Sequence, residues 1–148
     1  MPTTSLSYPQ TEYGKKTMNV IYVEMSSSNQ RVTLPKTHDM EGKGCALFEI
    51  SGHVAPYTDM PLFLCVDFIE ESTVGGKTLP ILRRIQLIPD DESPEASIDQ
   101  VFHKMLWLPT SRDRVDELRV YISDEHGNIR SFDYCQISCT LVCIPHVK

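Results

Sequence analysis

An all-β chain of about eight antiparallel strands, packed as a sandwich or barrel, is what this sequence predicts. Three observations carry the expectation. Short runs rich in β-branched and aromatic residues alternate apolar with polar positions. Clusters of Gly, Ser, Asn, Asp and Pro punctuate them at intervals of about 8–15 residues. The length of 148 residues suits one domain, and 41% hydrophobic with 23% charged residues is the balance of a globular protein that needs no staple.

Residues 1–17 show neither the helical nor the strand period and read as a flexible N-terminal arm with Lys15 and Lys16 at its root. The domain proper is expected over 18–148. Residues 18–25 are β-branched and aromatic and stop at the turn cluster Ser26-Ser27-Ser28-Asn29. A second strand covers 31–34 and ends at Pro35, and a third covers 45–50 between glycines. Residues 62–69 are apolar on both faces apart from Asp67, the pattern of a central strand. After the turn at Gly75-Gly76, residues 79–88 read as one strand, on which Ile81, Arg83, Ile85 and Leu87 share one side. The loop 89–95, carrying Asp90, Asp91 and Glu92, is acidic and doubly prolined.

Residues 96–108 fit both periods, and the reading adopted is a strand over 102–108 with a helical turn before it. Residues 116–123 alternate, with Leu118, Val120 and Ile122 inward. Asp124-Glu125-His126-Gly127-Asn128 supplies a hairpin loop. Residues 129–144 return as a long strand with Cys135, Ile137, Cys139, Leu141 and Cys143 on one face.

Composition narrows the function. The formal charge is −6 with scattered basic residues, whereas non-specific nucleic-acid binding needs a Lys/Arg stripe. No apolar run approaches the roughly 20 residues of a membrane helix. The opening residues lack the basic end and apolar run of a secretory signal, and the five cysteines form no C-x-x-C pair. The chain is therefore expected to be made and kept inside the cell with reduced thiols.

Motifs for catalysis are missing. On a strand, Cys135, Cys139 and Cys143 span about 13 Å from end to end. Sulfurs that far apart cannot share one zinc ion at about 2.3 Å each. The five histidines show no H-x-H or H-E-x-x-H spacing, and no glycine pair has the context of a phosphate loop. Neither a metal nor a cofactor is expected. Arg83-Arg84 is an oddity, since alternation sends neighbouring guanidinium groups to opposite faces. One of them is expected to pair with Asp67 or Glu70.

The order of the segments resembles one family, the single-jelly-roll penton, or minor capsid, proteins of Polinton (Maverick) elements and adintoviruses. Ser26-Ser27-Ser28-Asn29, Val32-Thr33-Leu34-Pro35-Lys36, Asp39-Met40-Glu41-Gly42 and Ala46-Leu47-Phe48-Glu49-Ile50 resemble the family's opening run. The stretch 62–70, with Val74-Gly75 and Leu79-Pro80-Ile81-Leu82-Arg83, is similar to its central part. Residues 118–132 are similar to its closing hairpin.

The resemblance implies an eight-stranded antiparallel jelly-roll β-sandwich with a structural, non-enzymatic role. Five copies would ring the vertex of an icosahedral virion and dock against a double-jelly-roll major capsid protein. It further implies that Asp67, Arg83 or Arg84, and Asp90, Asp91 and Glu92 of the acidic loop make polar assembly contacts. The arm, with Lys15 and Lys16, would reach under a neighbouring subunit. Two other classes compete with this reading. One is a cellular, domesticated β-sandwich module that binds a protein ligand. The other is an enzyme on a cupin-like jelly roll, which would need clustered histidines and a carboxylate.

Overall fold

A computed structural model describes residues 18–145, so the expected arm with Lys15 and Lys16 lies outside the described residues. The described chain is all-β and antiparallel, with no helix. The first strands are β1 (Asn19–Met25), β2 (Asn29–Asp39), β3 (Lys43–Ala55) and β4 (Leu62–Val66). Next come β5 (Ser72–Val74), β6 (Lys77–Leu79), β7 (Ile81–Ile85) and β8 (Ile88–Pro89). The last are β9 (Ala96–Val101), β10 (Leu108–Pro109), β11 (Arg114–Asp124) and β12 (Tyr134–Pro145).

Twelve strands in three sheets replace the expected eight. One sheet runs β1-β12-β3-β9-β8, with β10 also pairing β3; the second runs β2-β11-β4-β7; β5 and β6 form a small ladder. Four of the strands (β5, β6, β8 and β10) are only two or three residues long, too short for sequence periodicity to register.

Alternation puts one face of each larger sheet inward. Ile21, Val23 and Met25 of β1 meet Ile137, Cys139 and Leu141 of β12 and Leu47, Ile50 and Val54 of β3. From the other sheet come Leu118, Val120 and Ile122 of β11, Leu62, Leu64 and Val66 of β4, and Leu82 and Ile85 of β7. All belong to one buried cluster, so the two sheets face each other across a shared core. Cys45, Cys139 and Cys143 are buried there as free thiols, and burial pushes Cys139 up to about 12. A hydrogen bond with Cys143, the residue opposite on β12, together with burial raises Cys45 well above the ordinary thiol value. Both effects disfavour the thiolate, so these cysteines act as small apolar residues.

Several boundaries differ from the sequence reading, each for a local reason. The second strand does not stop at Pro35. It continues to Asp39 because β2 is an edge strand, and Pro35 falls where pairing with β11 jumps from Thr33 to His38. The fourth strand ends at Val66, where the chain turns and buries Phe68 and Ile69 beneath it. Residues 79–88 are not one strand: a register shift against β4 puts both Leu82 and Ile85 inward and breaks the expected alternation. The strand read over 102–108 lies instead at Ala96–Val101, and no helical turn precedes it. There Ala96 and Ile98 reach the core while β9 pairs with β3. Residues 102–107 then cross from β9 to β10 beside β3, anchored by Phe102 N–H donating to Phe48 C=O at 2.9 Å. The last strand starts at Tyr134 rather than at residue 129.

The loop 124–128 forms the expected tight turn between β11 and the returning chain. Asp124 Oδ1 accepts from the backbone N–H of His126 at 2.8 Å and of Asn128 at 3.0 Å, and Gly127 sits at φ +83°. Desolvation pushes the Asp124 carboxyl upward. The two amide bonds and the charges of His126 and Arg130 outweigh that push and hold it below the ordinary 3.8. A depressed carboxyl pKa contributes stability above the unfolded-state value and loses it as pH falls through the folded value. Asp124→Ala is therefore expected to cost about 1 kcal/mol at pH 7. In urea titrations the gap between variant and parent should close as the pH is lowered below about 4. A gap that stays constant down to pH 2 would show that the carboxylate does not hold the turn.

Candidate functional site

The residues singled out by sequence do not converge on one place. Asp67 follows β4 and organises the turn there. Its Oδ1 accepts from Arg112 Nη2 at 2.7 Å and from the Arg119 backbone N–H at 3.0 Å. The partner of Asp67 is thus Arg112, not Arg83 or Arg84. Sequence distance hid this pairing, since residues 67 and 112 are joined only by the sheet topology.

Arg83 and Arg84 diverge as alternation requires. Arg83 Nη1 donates to Lys104 C=O at 2.9 Å, and its guanidinium lies 4.2 Å over the Phe102 ring. It therefore pins the 102–107 segment. Arg84 is exposed and stands opposite Phe63 on β4. Both arginines line an open cleft of about 460 Å³ with Tyr57, Asp59, Met60 and Gln100.

The acidic loop is largely self-contained. Asp90 accepts from the Glu92 N–H at 3.0 Å and from Ser93 Oγ at 3.2 Å, while its own N–H donates to Glu95 C=O at 3.1 Å. Asp90 thus shapes the loop, and Asp91 and Glu92 are exposed.

A buried polar network closes one end of the sandwich. Lys43, only 5% exposed, donates through Nζ to Asn19 Oδ1, and Asn19 Nδ2 lies 2.7 Å from His38 Nδ1. Burial first, and then the charges of Lys36 and Lys43, lower the His38 pKa. The neutral imidazole that this favours can accept the Asn19 hydrogen bond.

The feature that sequence reasoning missed is on the outer face of the larger sheet. Val20 and Tyr22 of β1, Phe48 of β3 and Val101 of β9 are exposed, Tyr22 at 73%. With Phe102 and Met105 of the crossing segment, most of them border an apolar groove of about 480 Å³. The signal was present in β1, where Val20 and Tyr22 make the solvent side of a half-buried strand as apolar as its core side. The other outer face carries Arg31, Arg84 and Arg119, with Tyr121 and Cys65 between them. Burial raises both Cys65 and Tyr121 to about 12, so neither ionises at neutral pH.

Among the described residues no three His, Cys, Asp or Glu side chains are grouped to hold a metal ion, and no helix is long and apolar enough to cross a membrane. No family model matches the chain, and no curated protein matches it significantly. Among the described residues the surfaces available for recognition include two chemically different sheet faces, the arginine-lined cleft, a second polar cleft beside Asp67, Glu70 and Glu71, and the acidic loop.

Proposed function

We propose that this chain is a structural capsid subunit, a jelly-roll penton or minor capsid protein of the kind its sequence resembles in Polinton elements and adintoviruses. The strand order carries the reading. With the four shortest strands set aside, the sheets β1-β12-β3-β9 and β2-β11-β4-β7 remain. Along the chain, every step between these eight strands crosses from one sheet to the other, except the hairpin from β4 to β7. That weave is what an eight-stranded jelly roll requires, with loops at both ends and broad sheet faces on the flanks.

On this reading the protein works through its flanks. Five copies close a head-to-tail ring at an icosahedral vertex, and the ring's rim docks against a double-jelly-roll major capsid protein. The exposed Asp91 and Glu92 and the arginine-lined cleft are candidate rim contacts. Light scattering on the purified full chain tests it: the proposal expects a closed ring of roughly five chain masses. A strict monomer at high concentration, which a major capsid protein cannot recruit, overturns it. A second reading, a cellular β-sandwich interaction module, is favoured by the cleft beside Tyr57 and Arg84. It expects that monomer, with a protein ligand bound at the cleft.

A further inference from the structure

We infer that the outer face of the larger sheet is the docking surface for the outer face of the smaller sheet on a second copy of this chain. The inference rests on the proposed ring and names the two surfaces that would build it.

The first face is acidic and aromatic. Its outward positions include Val20, Tyr22 and Glu24 on β1, Phe48 and Glu49 on β3, and Asp99 and Val101 on β9. No lysine or arginine occupies an outward position on these strands. Glu24 accepts from Ser138 Oγ at 2.8 Å and Glu49 from Thr140 Oγ1 at 3.2 Å. Neither of them, nor Asp99, has a cation partner among the described residues.

The second face is its complement. Arg31, Arg119 and Arg84 project from β2, β11 and β7, interleaved with Phe63 and Tyr121. Of the strand carboxylates on this face, Glu117 is engaged by Arg31 at 3.0 Å, and Asp39 and Asp116 stand at the end of β2 and β11 away from Arg31 and Arg119. Arg119 donates to Asn29 Oδ1 and lies 5.1 Å from the Tyr121 ring centroid, so it is held outward without a carboxylate. Arg84 has no carboxylate partner among the described residues. Asp67, held by Arg112, and Glu70 and Glu71 sit at one end of this face. They leave Arg84, at the opposite end of β4, clear of their charge.

Size permits a stable contact. Five strands of 7, 12, 13, 6 and 2 residues, spaced at about 4.8 Å with a rise of about 3.4 Å per residue, make a face of roughly 650 Å² in plan. With side chains standing from it, that is on the scale of the about 800 Å² that each partner contributes to a standard interface. Exposed Tyr22 and Phe48 stand on the same strands as Glu24 and Glu49, and aromatics mixed with charges are common in protein–protein contacts. Two different faces mate, so the contact is head-to-tail: it closes into a ring, or continues as a filament, according to the angle between the faces.

Charge reversal in the full chain tests the inference, read by light scattering after a circular dichroism melt has shown each variant folded. Glu24→Arg with Glu49→Arg, Arg84→Glu with Arg119→Glu, and Tyr22→Asp alone are each expected to reduce the assembly to the 16.8 kDa chain. A chain carrying both reversals restores opposite charges and is expected to regain the parent mass. If the parent assembles and the single-face variants keep its mass, these faces are not the contact, while the ring proposal stands. If the combined variant stays monomeric, charge complementarity is not what joins them. A parent that stays monomeric at high concentration overturns this inference, and it overturns the ring proposal as well when a major capsid protein cannot recruit the chain.

Discussion

Gly52→Ala is expected to unfold the protein or to cost at least about 3 kcal/mol, the largest effect of any single methyl added to this chain. Gly52 lies in the middle of β3, between Ile137 of β12 and Ile98 of β9, at φ +148°. A Cβ there would stand 2.1 Å from the Gln136 carbonyl oxygen and 2.7 Å from the Ile137 Cα. Both atoms belong to the backbone of the neighbouring strand, which cannot swing aside as a side chain could. Relief requires moving β12 away from β3, and that opens the sheet through its centre. Gly76→Ala is the control. Gly76 also has a positive φ, +81°, but its added Cβ would meet nothing within 4 Å. Only the conformational strain remains, worth about 1–3 kcal/mol. Equal losses in the two variants, measured by urea denaturation, would show that the close approach of β12 does not constrain position 52.

Phe68→Ala is expected to cost about 3–5 kcal/mol, as truncation of a buried phenylalanine does. At a slope of about 2–4 °C per kcal/mol for a domain of this size, the melting temperature should fall by roughly 10 °C. Phe68 is fully buried, although it sits in the turn after β4 and not on a strand. Its carbonyl accepts from Ser111 N–H at 2.7 Å, and neighbouring Ile69 bridges to Thr110. The side chain therefore anchors the turn that also carries Asp67. Tyr22→Ala, at a position 73% exposed, should change stability by no more than about 0.5 kcal/mol. A melt in which the two variants shift alike would contradict the placement of Phe68 in the core.

Much of the fold was legible because alternation is a local signal. Leu118, Val120 and Ile122 were read as inward from their spacing alone, and the odd-numbered residues from Cys135 to Cys143 were placed on one shared face; all of them are buried. The turn at Asp124–Asn128 was legible for the same reason, since its carboxylate and its glycine act within five residues. Legibility failed where two periods overlapped. Residues 96–101 pair with β3 because Ile98 and Ala96 find space in the core, a fact of packing that the ambiguous pattern of 96–108 could not carry. It failed again at Pro35, where the reading ended the strand at the proline and the chain has an edge strand that carries it on to Asp39.

The surface residues were less legible than the core. Asp67 was singled out as a charge in an apolar strand, and it does organise a turn, but through Arg112, a residue 45 positions away. Arg83 was singled out as an oddity, and its guanidinium holds down the 102–107 segment. The acidic-aromatic face was not found, because its members are scattered over β1, β3 and β9 and meet only when those strands lie side by side.

The sequence by itself determined that the chain is built of β-strands, which residues of most strands face inward, and that Cys135, Cys139 and Cys143 share one face of the last strand. Those properties follow from side-chain period and turn chemistry, which act over a few residues. Tertiary structure alone decided the order of strands within each sheet, the partner of Asp67, and the gathering of Arg31, Arg84 and Arg119 onto one sheet face. Each of these depends on pairings between residues distant in the chain, and such pairings are selected by the packing of the whole core rather than by any one segment.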